Sequence, residues 1–459
     1  MGLHIYDMHS VGAAGMYFSD RGVRAMGRGG AFVAGADDLQ SIWYNPAGLS
    51  DAGTSILVDA AWLRFSPEYT RELRVVDADG TVRHITAPTI RGSSQLIPIP
   101  TLAGSFQINP QLTVAAGVIA PYIALASYAE RLENGEPSPA RYTLGSFDGS
   151  LLAIPGMWMA WKPIPELRIG AGVQALVGTF QSTVTFSASP QDRLLGAPEQ
   201  PEFDAQSQMK VGPIVAPSGN VGVIYEPERH LRLGMSFQAP MIVSSNATIK
   251  VRLPSDVAFD GARVNGENAH VRFVLPAIFR VGVELRPIDG LRVEVAYVRE
   301  FWSSHETIDA KPSGISIDGI KGAPYSVAMP NIIIPRNFQD SNSYRLGGEY
   351  TFDAWGDPIT VRAGFQYETS AVPNAYLSLS SLDFVKTTFM FGGSLHFGKH
   401  WRFDGVYGHT FAHEAHVTPE EARIPRINPL KGNAPLEAVN GGTYRASADL
   451  IGVGMNYKF

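Results

Sequence analysis

The sequence predicts an all-β protein: a 14-stranded antiparallel transmembrane β-barrel with a compact N-terminal segment of a size to sit inside it. Three observations predict this. A phrase of alternating apolar and small or polar residues recurs, starting at Leu112, Leu167, Leu231, Leu291, Ile359 and Trp401, and each copy follows a tight turn such as Asn109-Pro-Gln or Phe397-Gly-Lys-His. The copies are spaced by 55, 64, 60, 68 and 42 residues, one β-hairpin each, with a short turn on one side and a long, variable loop on the other. Charged residues make up 17% of the chain, whereas 47 glycines, 17 tyrosines and 23 phenylalanines suit a two-faced wall with aromatic girdles.

Residues 1–53 come first and are read as a separate, compact, non-strand unit rich in Gly and Ala. Within them Asp37-Asp38 is expected to cap a short helix through Ile42-Trp43-Tyr44. Asn45-Pro46 is expected to stop it, because the residue before proline avoids the helical region. Residues 54–459 then carry the barrel. The expected strands are 54–65, 93–108, 112–127, 148–162, 167–186, 206–225, 231–250, 267–285, 291–304, 343–353, 358–372, 383–397, 401–416 and 446–459. Leu167, Ile169, Ala171, Val173, Ala175 and Val177 share one face of the fifth, and Arg168, Gly170, Gly172, Gln174 and Gly178 share the other. In the last, Ile451, Val453, Met455, Tyr457 and Phe459 alternate with Gly452, Gly454, Asn456 and Lys458. A soluble sandwich has the same period; the strand lengths and the asymmetry of the hairpins favour the barrel. Expected long loops at 66–92, 128–147, 187–205, 251–266, 305–342, 373–382 and 417–445 carry much of the proline and charge.

Composition excludes several functions. A net charge of −6 gives no basic footprint, so no nucleic-acid partner is expected. With no cysteine there is no disulfide, thiolate metal site or thiol catalysis. No apolar run reaches the roughly 18 residues of a membrane helix. The start, Met1-Gly-Leu-His-Ile-Tyr-Asp, lacks a basic region and an apolar core, so the sequence is expected to be a mature or re-engineered form.

Three stretches resemble one family. They are Arg24-Ala-Met-Gly-Arg-Gly-Gly-Ala-Phe-Val-Ala-Gly-Ala-Asp-Asp-Leu-Gln-Ser-Ile-Trp-Tyr-Asn-Pro-Ala-Gly-Leu49, Gly117-Val-Ile-Ala-Pro-Tyr122 and the terminal Phe459. Together they resemble the long-chain fatty acid transporters of Gram-negative outer membranes, a family that includes importers of toluene and related hydrocarbons. The first stretch is the specific one; a terminal Phe marks outer-membrane barrels in general. The resemblance implies a 14-stranded barrel plugged by an N-terminal hatch, with a kinked third strand that leaves a gap in the wall. It implies passive uptake: an apolar ligand lands on an outer groove, passes to an internal pocket and leaves sideways into membrane lipid when the hatch moves. Detergent would take the same pocket. Asn45, Pro46, Ala47 and Gly48 would be the hatch residues at that gap, and Gly117 and Pro121 would lie in or near the kink. A closed barrel with an internal pathway is expected to work as a monomer, with no cofactor and no metal.

The residues themselves leave alternatives open. Pro121 removes a ladder hydrogen bond, which marks either a pairing defect that the hatch covers or a position just above the bilayer, where irregularity costs little. Asn45-Pro46-Ala47-Gly48 either gates or simply turns the chain into the first strand. A fatty acid carboxylate needs an Arg or Lys in an apolar pocket, and Arg141, Arg336 and Arg345 flank the outer loops; each is otherwise a wall or surface arginine. Ile333, within Tyr325–Pro335, and Tyr376, within Ala371–Leu377, belong to apolar loop runs that either form an outer landing site or pack on neighbouring loops. His413-Glu-Ala-His416 has its histidines three apart rather than the four of a zinc helix, and Gly27-Arg-Gly-Gly30 lacks the strand and the Gly-Lys-Ser of a phosphate loop. No motif selects a Ser/His pair, so no enzyme is expected. A diffusion porin, an outer-membrane hydrolase and an adhesive barrel remain the competing classes.

Overall fold

The computed structural model describes residues 19–93, 98–120, 127–354, 356–432 and 434–459. Fourteen strands form the barrel: β1 (Ser55–Phe65), β2 (Pro98–Asn109), β3 (Leu112–Ile119), β4 (Leu151–Ile164), β5 (Leu167–Ser187), β6 (Asp204–Glu228), β7 (Leu231–Gln238 continued by Met241–Arg252), β8 (Asn268–Leu275 continued by Ile278–Leu285), β9 (Leu291–Glu300), β10 (Ser341–Ala354), β11 (Asp357–Glu368), β12 (Lys386–Phe397), β13 (Trp401–Ala412) and β14 (Ser447–Lys458). Each pairs antiparallel with the next, and β1 pairs with both β2 and β14, so the sheet closes and has no edge. Closure satisfies the backbone groups that lipid cannot.

The alternation sorts as the sequence predicts. On β5, Ile169 and Val173 are exposed to the outside, while Arg168 and Gln174 are buried within. Rings crowd the short-turn rim: Trp401 lies 4.6 Å from Tyr457, and Tyr457 4.8 Å from Phe459, the place of an interfacial aromatic girdle.

Several boundaries differ from expectation, for identifiable reasons. Among the described residues the β3 ladder runs to Ile119, opposite Ile154; residues 121–126 of the expected strand lie outside the described residues. β9 stops at Glu300 because a 3-10 turn at Trp302–Ser304 folds the chain inward and buries Trp302 and His305. The expected continuous strands 231–250 and 267–285 each break, at Ala239-Pro240 and Pro276-Ala277, where proline lacks the ladder donor. The outer segments are not plain loops. Residues Glu68–Val76 form a strand that pairs with Gly442–Arg445 and Val82–Thr86, and Tyr69 stacks on Tyr444 at 4.5 Å.

Residues 19–53 fold as short helices (Val23–Gly27, Ser41–Tyr44, Leu49–Ala52) and a 3-10 turn (Pro46–Gly48) against the inner wall. They are buried almost throughout, with Phe32, Leu39 and Ile42 at 0% exposure. The Asp38 carboxylate accepts the Gln40 N–H at 2.9 Å, just ahead of the Ser41–Tyr44 helix. Asn45 ends that helix in extended conformation, and its side chain then accepts the Ala47 N–H at 3.2 Å to start the 3-10 turn.

Candidate functional site

The lumen has two chemistries, stacked. Toward the short turns, inward positions of β8 to β13 carry charge, and the N-terminal segment supplies the opposite charges. Arg28, wholly buried, meets Glu284 of β8 at 2.8 Å and Glu294 of β9 at 3.3 Å. Glu349 of β10 receives Arg24 at 2.7 Å and Arg362 at 2.8 Å. The Glu294 carboxylate also accepts three successive backbone N–H groups, of Val33, Ala34 and Gly35, at 2.7, 3.0 and 2.8 Å. Such charge-assisted bonds fix a chain turn that has no regular structure of its own. Glycines on the inner wall let the segment lie flush: a Cβ at Gly364 would come within 2.0 Å of the Gly29 nitrogen. Below, a cavity of about 720 Å³ is lined by charged side chains, among them Arg168, Glu226, Arg229 and Arg232. This end is polar and hostile to an apolar ligand.

Toward the long loops the interior carries an aromatic cluster, beside a buried charged group in which Lys386 meets Glu368 and Asp383, and Glu300 accepts the Trp302 indole N–H at 2.7 Å. Phe273, Trp302 and Phe338 surround His305, with ring centroids 6.2, 6.0 and 5.0 Å from the imidazole. His305 Nδ1 donates to the Val274 carbonyl at 2.7 Å, and its buried Nε2 has no hydrogen-bond partner among the described residues. Arg336 approaches from the Ile332–Pro335 strand. Its Nη1 donates to Ser380 Oγ at 3.2 Å, and among the described residues its buried Nε has no hydrogen-bond partner and no carboxylate pairs with it. Desolvation alone pushes Arg336 down to about 10. Burial, and then the Arg336 charge, hold the His305 imidazolium down to about 4. An uncompensated buried cation is costly, and an anion relieves it.

The three arginines chosen from sequence therefore part company. Arg141 is spoken for by Glu199 at 2.8 Å and Asp204 at 2.7 Å, in a cluster that ties the outer loops together. Arg345 is bound to Asp20 and so holds the N-terminal segment. Arg336 alone of the three lacks an acid. Ile333 is 61% exposed and points away from the interior, whereas Ile332 and Ile334 pack into it. Tyr376 is half-buried against Tyr142, Ile424 and Val439 and packs loop on loop; Ala371, Val372 and Leu377 are buried too.

Asn45 to Gly48 rest on β5 and β6 rather than on β3. The Asn45 amide donates to the Val33 carbonyl at 2.9 Å and to the Val223 carbonyl of β6 at 3.1 Å. A Cβ at Gly170 would lie 2.3 Å from the Ala47 nitrogen, and one at Gly222 2.0 Å from Asn45 Oδ1. Gly117 sits between Ala103 and Gly156, where a Cβ would come within 2.7 Å of the Leu102 carbonyl. Pro121 lies outside the described residues. His416 bonds Thr443 at 3.0 Å, and no cluster of metal-ligating side chains occurs among the described residues.

Sequence reasoning missed His305, a lone histidine in no motif. It also missed the charged lumen, although Glu294, Arg345, Glu349 and Arg362 stand at inward positions of their strands.

Comparison with known proteins agrees with this architecture. The model of the outer membrane protein transport family (OMPP1/FadL/TodX) matches residues 8–459. A putative outer membrane protein of Neisseria meningitidis is 23% identical, over 98% of this chain and 96% of its own. A crystal structure of a Pseudomonas aeruginosa FadL homologue superposes with a TM-score of 0.73 at 14% identity, over 97% and 100% of the two chains. The Pseudomonas putida toluene transporter TodX gives 0.62 at 15%, over 96% and 98%. With its barrel closed, an ion-paired lumen at one end and an aromatic cluster at the other, and residues 8–459 matched, this chain belongs to the outer membrane transport family of FadL and TodX.

Proposed function

We propose that the protein takes up apolar molecules that carry a carboxylate, the long-chain fatty acid class, by passive transfer across the outer membrane. The observation that carries this is Arg336: a buried guanidinium without an acid, beside the open Nε2 of His305, in an aromatic surround. A hydrocarbon such as the toluene of the TodX relative has no use for such a cation. The ligand lands among the outer loops and enters beside the aromatic cluster of the upper lumen. Residues 1–53 act as the hatch and residues 54–459 as the barrel. The ion-paired, polar floor makes axial descent unfavourable for an apolar chain, so the ligand leaves sideways into membrane lipid. In this reading Asn45-Pro46-Ala47-Gly48 is the part of the hatch that shifts. The end of β3, with Gly117 and Pro121, is the wall segment that yields, and the protein works as a monomer.

The test is calorimetric titration of the detergent-solubilised protein with oleate, oleyl alcohol and toluene. The proposal expects oleate to bind at least tenfold more tightly than oleyl alcohol. Binding of toluene with no preference for oleate would move the substrate class to hydrocarbons. A high single-channel conductance for small ions would replace the carrier with an open pore.

A further inference from the structure

A second irregularity of the wall lies between β6 and β7. Their ladder runs from Glu228 to Asn220 opposite Gln238, stops, and resumes at Val211 opposite Ala247. Ala239 still donates to the Gly219 carbonyl at 2.9 Å, but no ladder pair joins 212–218 to 240–246. The cause is in the sequence. β6 carries an extra residue at Gly212-Pro213, where these two residues oppose the single Thr179 of β5, between the pairs Gly178–Ile214 and Phe180–Val211. β7 changes phase at Ala239-Pro240: Gln238 faces inward, and so does Met241, three residues on. The two irregularities sit at opposite ends of the break, so between them β6 keeps the phase of the Asn220 end and β7 that of the Ala247 end, and the two strands face each other out of phase.

Prolines then remove donors. The ladder from β6 to β5 passes through Pro217 unbroken, so Pro217, Val215 and Pro213 direct their other backbone edge toward β7, and two of these three have no N–H. Serine hydroxyls cap the ends of the break instead: Ser245 donates to the Pro213 carbonyl at 2.9 Å and Ser218 to the Ala239 carbonyl at 2.8 Å. The break stands at lipid height, since Val215 is 69% and Ile242 50% exposed on the outer face.

Two further observations point to a ligand there. An apolar groove of about 460 Å³ on the lipid side reaches the lower end of the break, lined by Met157, Met159, Val173, Val221, Phe237 and Ala239. On the inner side, Gln174 of β5 and Gln238 of β7 are buried, and neither amide, oxygen or nitrogen, has a hydrogen-bond partner among the described residues. Between them Asn220 is satisfied, by Trp158 and by the Ile42 carbonyl of the N-terminal segment. Unpartnered amides inside and an apolar trough outside suit the two ends of one amphiphile.

We infer that the β6–β7 break is a second lateral opening, through which a carboxylate-bearing amphiphile passes its chain into lipid while Gln174 and Gln238 bind its head. This rests on the transport reading above. An oleate analogue with a diazirine near the chain end, photolysed with the protein in outer-membrane vesicles and mapped by mass spectrometry, tests it. Adducts competed by oleate are expected within 212–218 and 240–246. The chain has no native cysteine, so V215C/I242C, joined by a short thiol cross-linker, should cut oleate uptake at least threefold until reduced. The control Y350C/V361C, a direct pair in the unbroken β10–β11 ladder, should not. Competed adducts elsewhere but in neither segment, or unchanged uptake by the cross-linked protein, overturn the opening. Absence of competed adducts anywhere, with no uptake by the unaltered chain, overturns the transport reading itself.

Discussion

Arg336→Met separates a ligand anchor from a structural residue. Methionine keeps most of the stem and removes the charge. Burial pushes the guanidinium down to about 10, which corresponds to about 3 kcal/mol of desolvation that no neighbouring acid offsets. The variant is therefore expected to be as stable as the parent, or more stable by up to about 3 kcal/mol, in urea unfolding from detergent. Oleate loses one charge-assisted interaction worth about 1.5–3 kcal/mol, a weakening of roughly 10- to 150-fold. Oleyl alcohol, with the same chain and no charge, is expected to bind within twofold of before. Calorimetric titration of both ligands reads the difference directly. Equal losses for the two, or an unchanged affinity for oleate, would refute the reasoning, because Arg336 would then be packing and not recognition. The contrast is Arg345→Met, which orphans the buried Asp20 and is expected to destabilise by about 3–5 kcal/mol.

Other outcomes follow from the same geometry. His305 titrates at about 4 when folded against about 6.5 unfolded, so the unfolded chain takes the proton first; stability falls as pH drops through that window, by about 2 kcal/mol between pH 6.5 and 5. Bound oleate brings a negative charge to Arg336 and should raise the His305 pKa, visible as a shift of its imidazole NMR titration; no shift would separate His305 from the ligand. Glu199 is held below the usual carboxylate range, against the opposing pull of burial, by Arg71, Arg141 and Arg426. Its stabilising share is thus present at neutral pH and lost as pH falls through that lowered value. Glu199→Gln is expected to cost about 3 kcal/mol and to speed proteolysis of the outer loops severalfold, and an unchanged cleavage rate would discount the cluster. Gly364→Ala puts a methyl group onto the Gly29 nitrogen, so the N-terminal segment should shift, with a loss of about 1–3 kcal/mol and a measurable rise in single-channel conductance.

How far the sequence could be read depended on the range of the interactions. Alternation on β5 and β14 is local, and it located both strands and their outer faces. The turns Asn109-Pro and Phe397-Gly set the hairpins for the same reason. Pro240 and Pro276 are equally visible, but the segments on either side of each read as one continuous strand, and the breaks are not legible from sequence. His305 and Arg336 are 31 residues apart in the chain, and the pairing of Thr307–Pro312 with Ile332–Pro335, with the Arg336 N–H on the Glu306 carbonyl at 2.8 Å, brings them together. Arg28 and Glu284 are 256 residues apart; each looks like a solvated charge until the barrel closes around them.

That last separation bears on how the molecule is made. The N-terminal segment leaves the ribosome first, yet its binding partners, Glu284, Glu294, Glu349 and Arg345, arrive 256 to 325 residues later. Helices of four or five residues do not persist alone in water. Asp59 of β1 and the β5 and β6 wall also hold the segment, but its buried charges stay unpaired until β8, β9 and β10 are in register. Its docking belongs at the end of assembly, after the wall has formed. A barrel stalled before closure would carry its first fifty residues as an unstructured tail, open to protease and easy to detect.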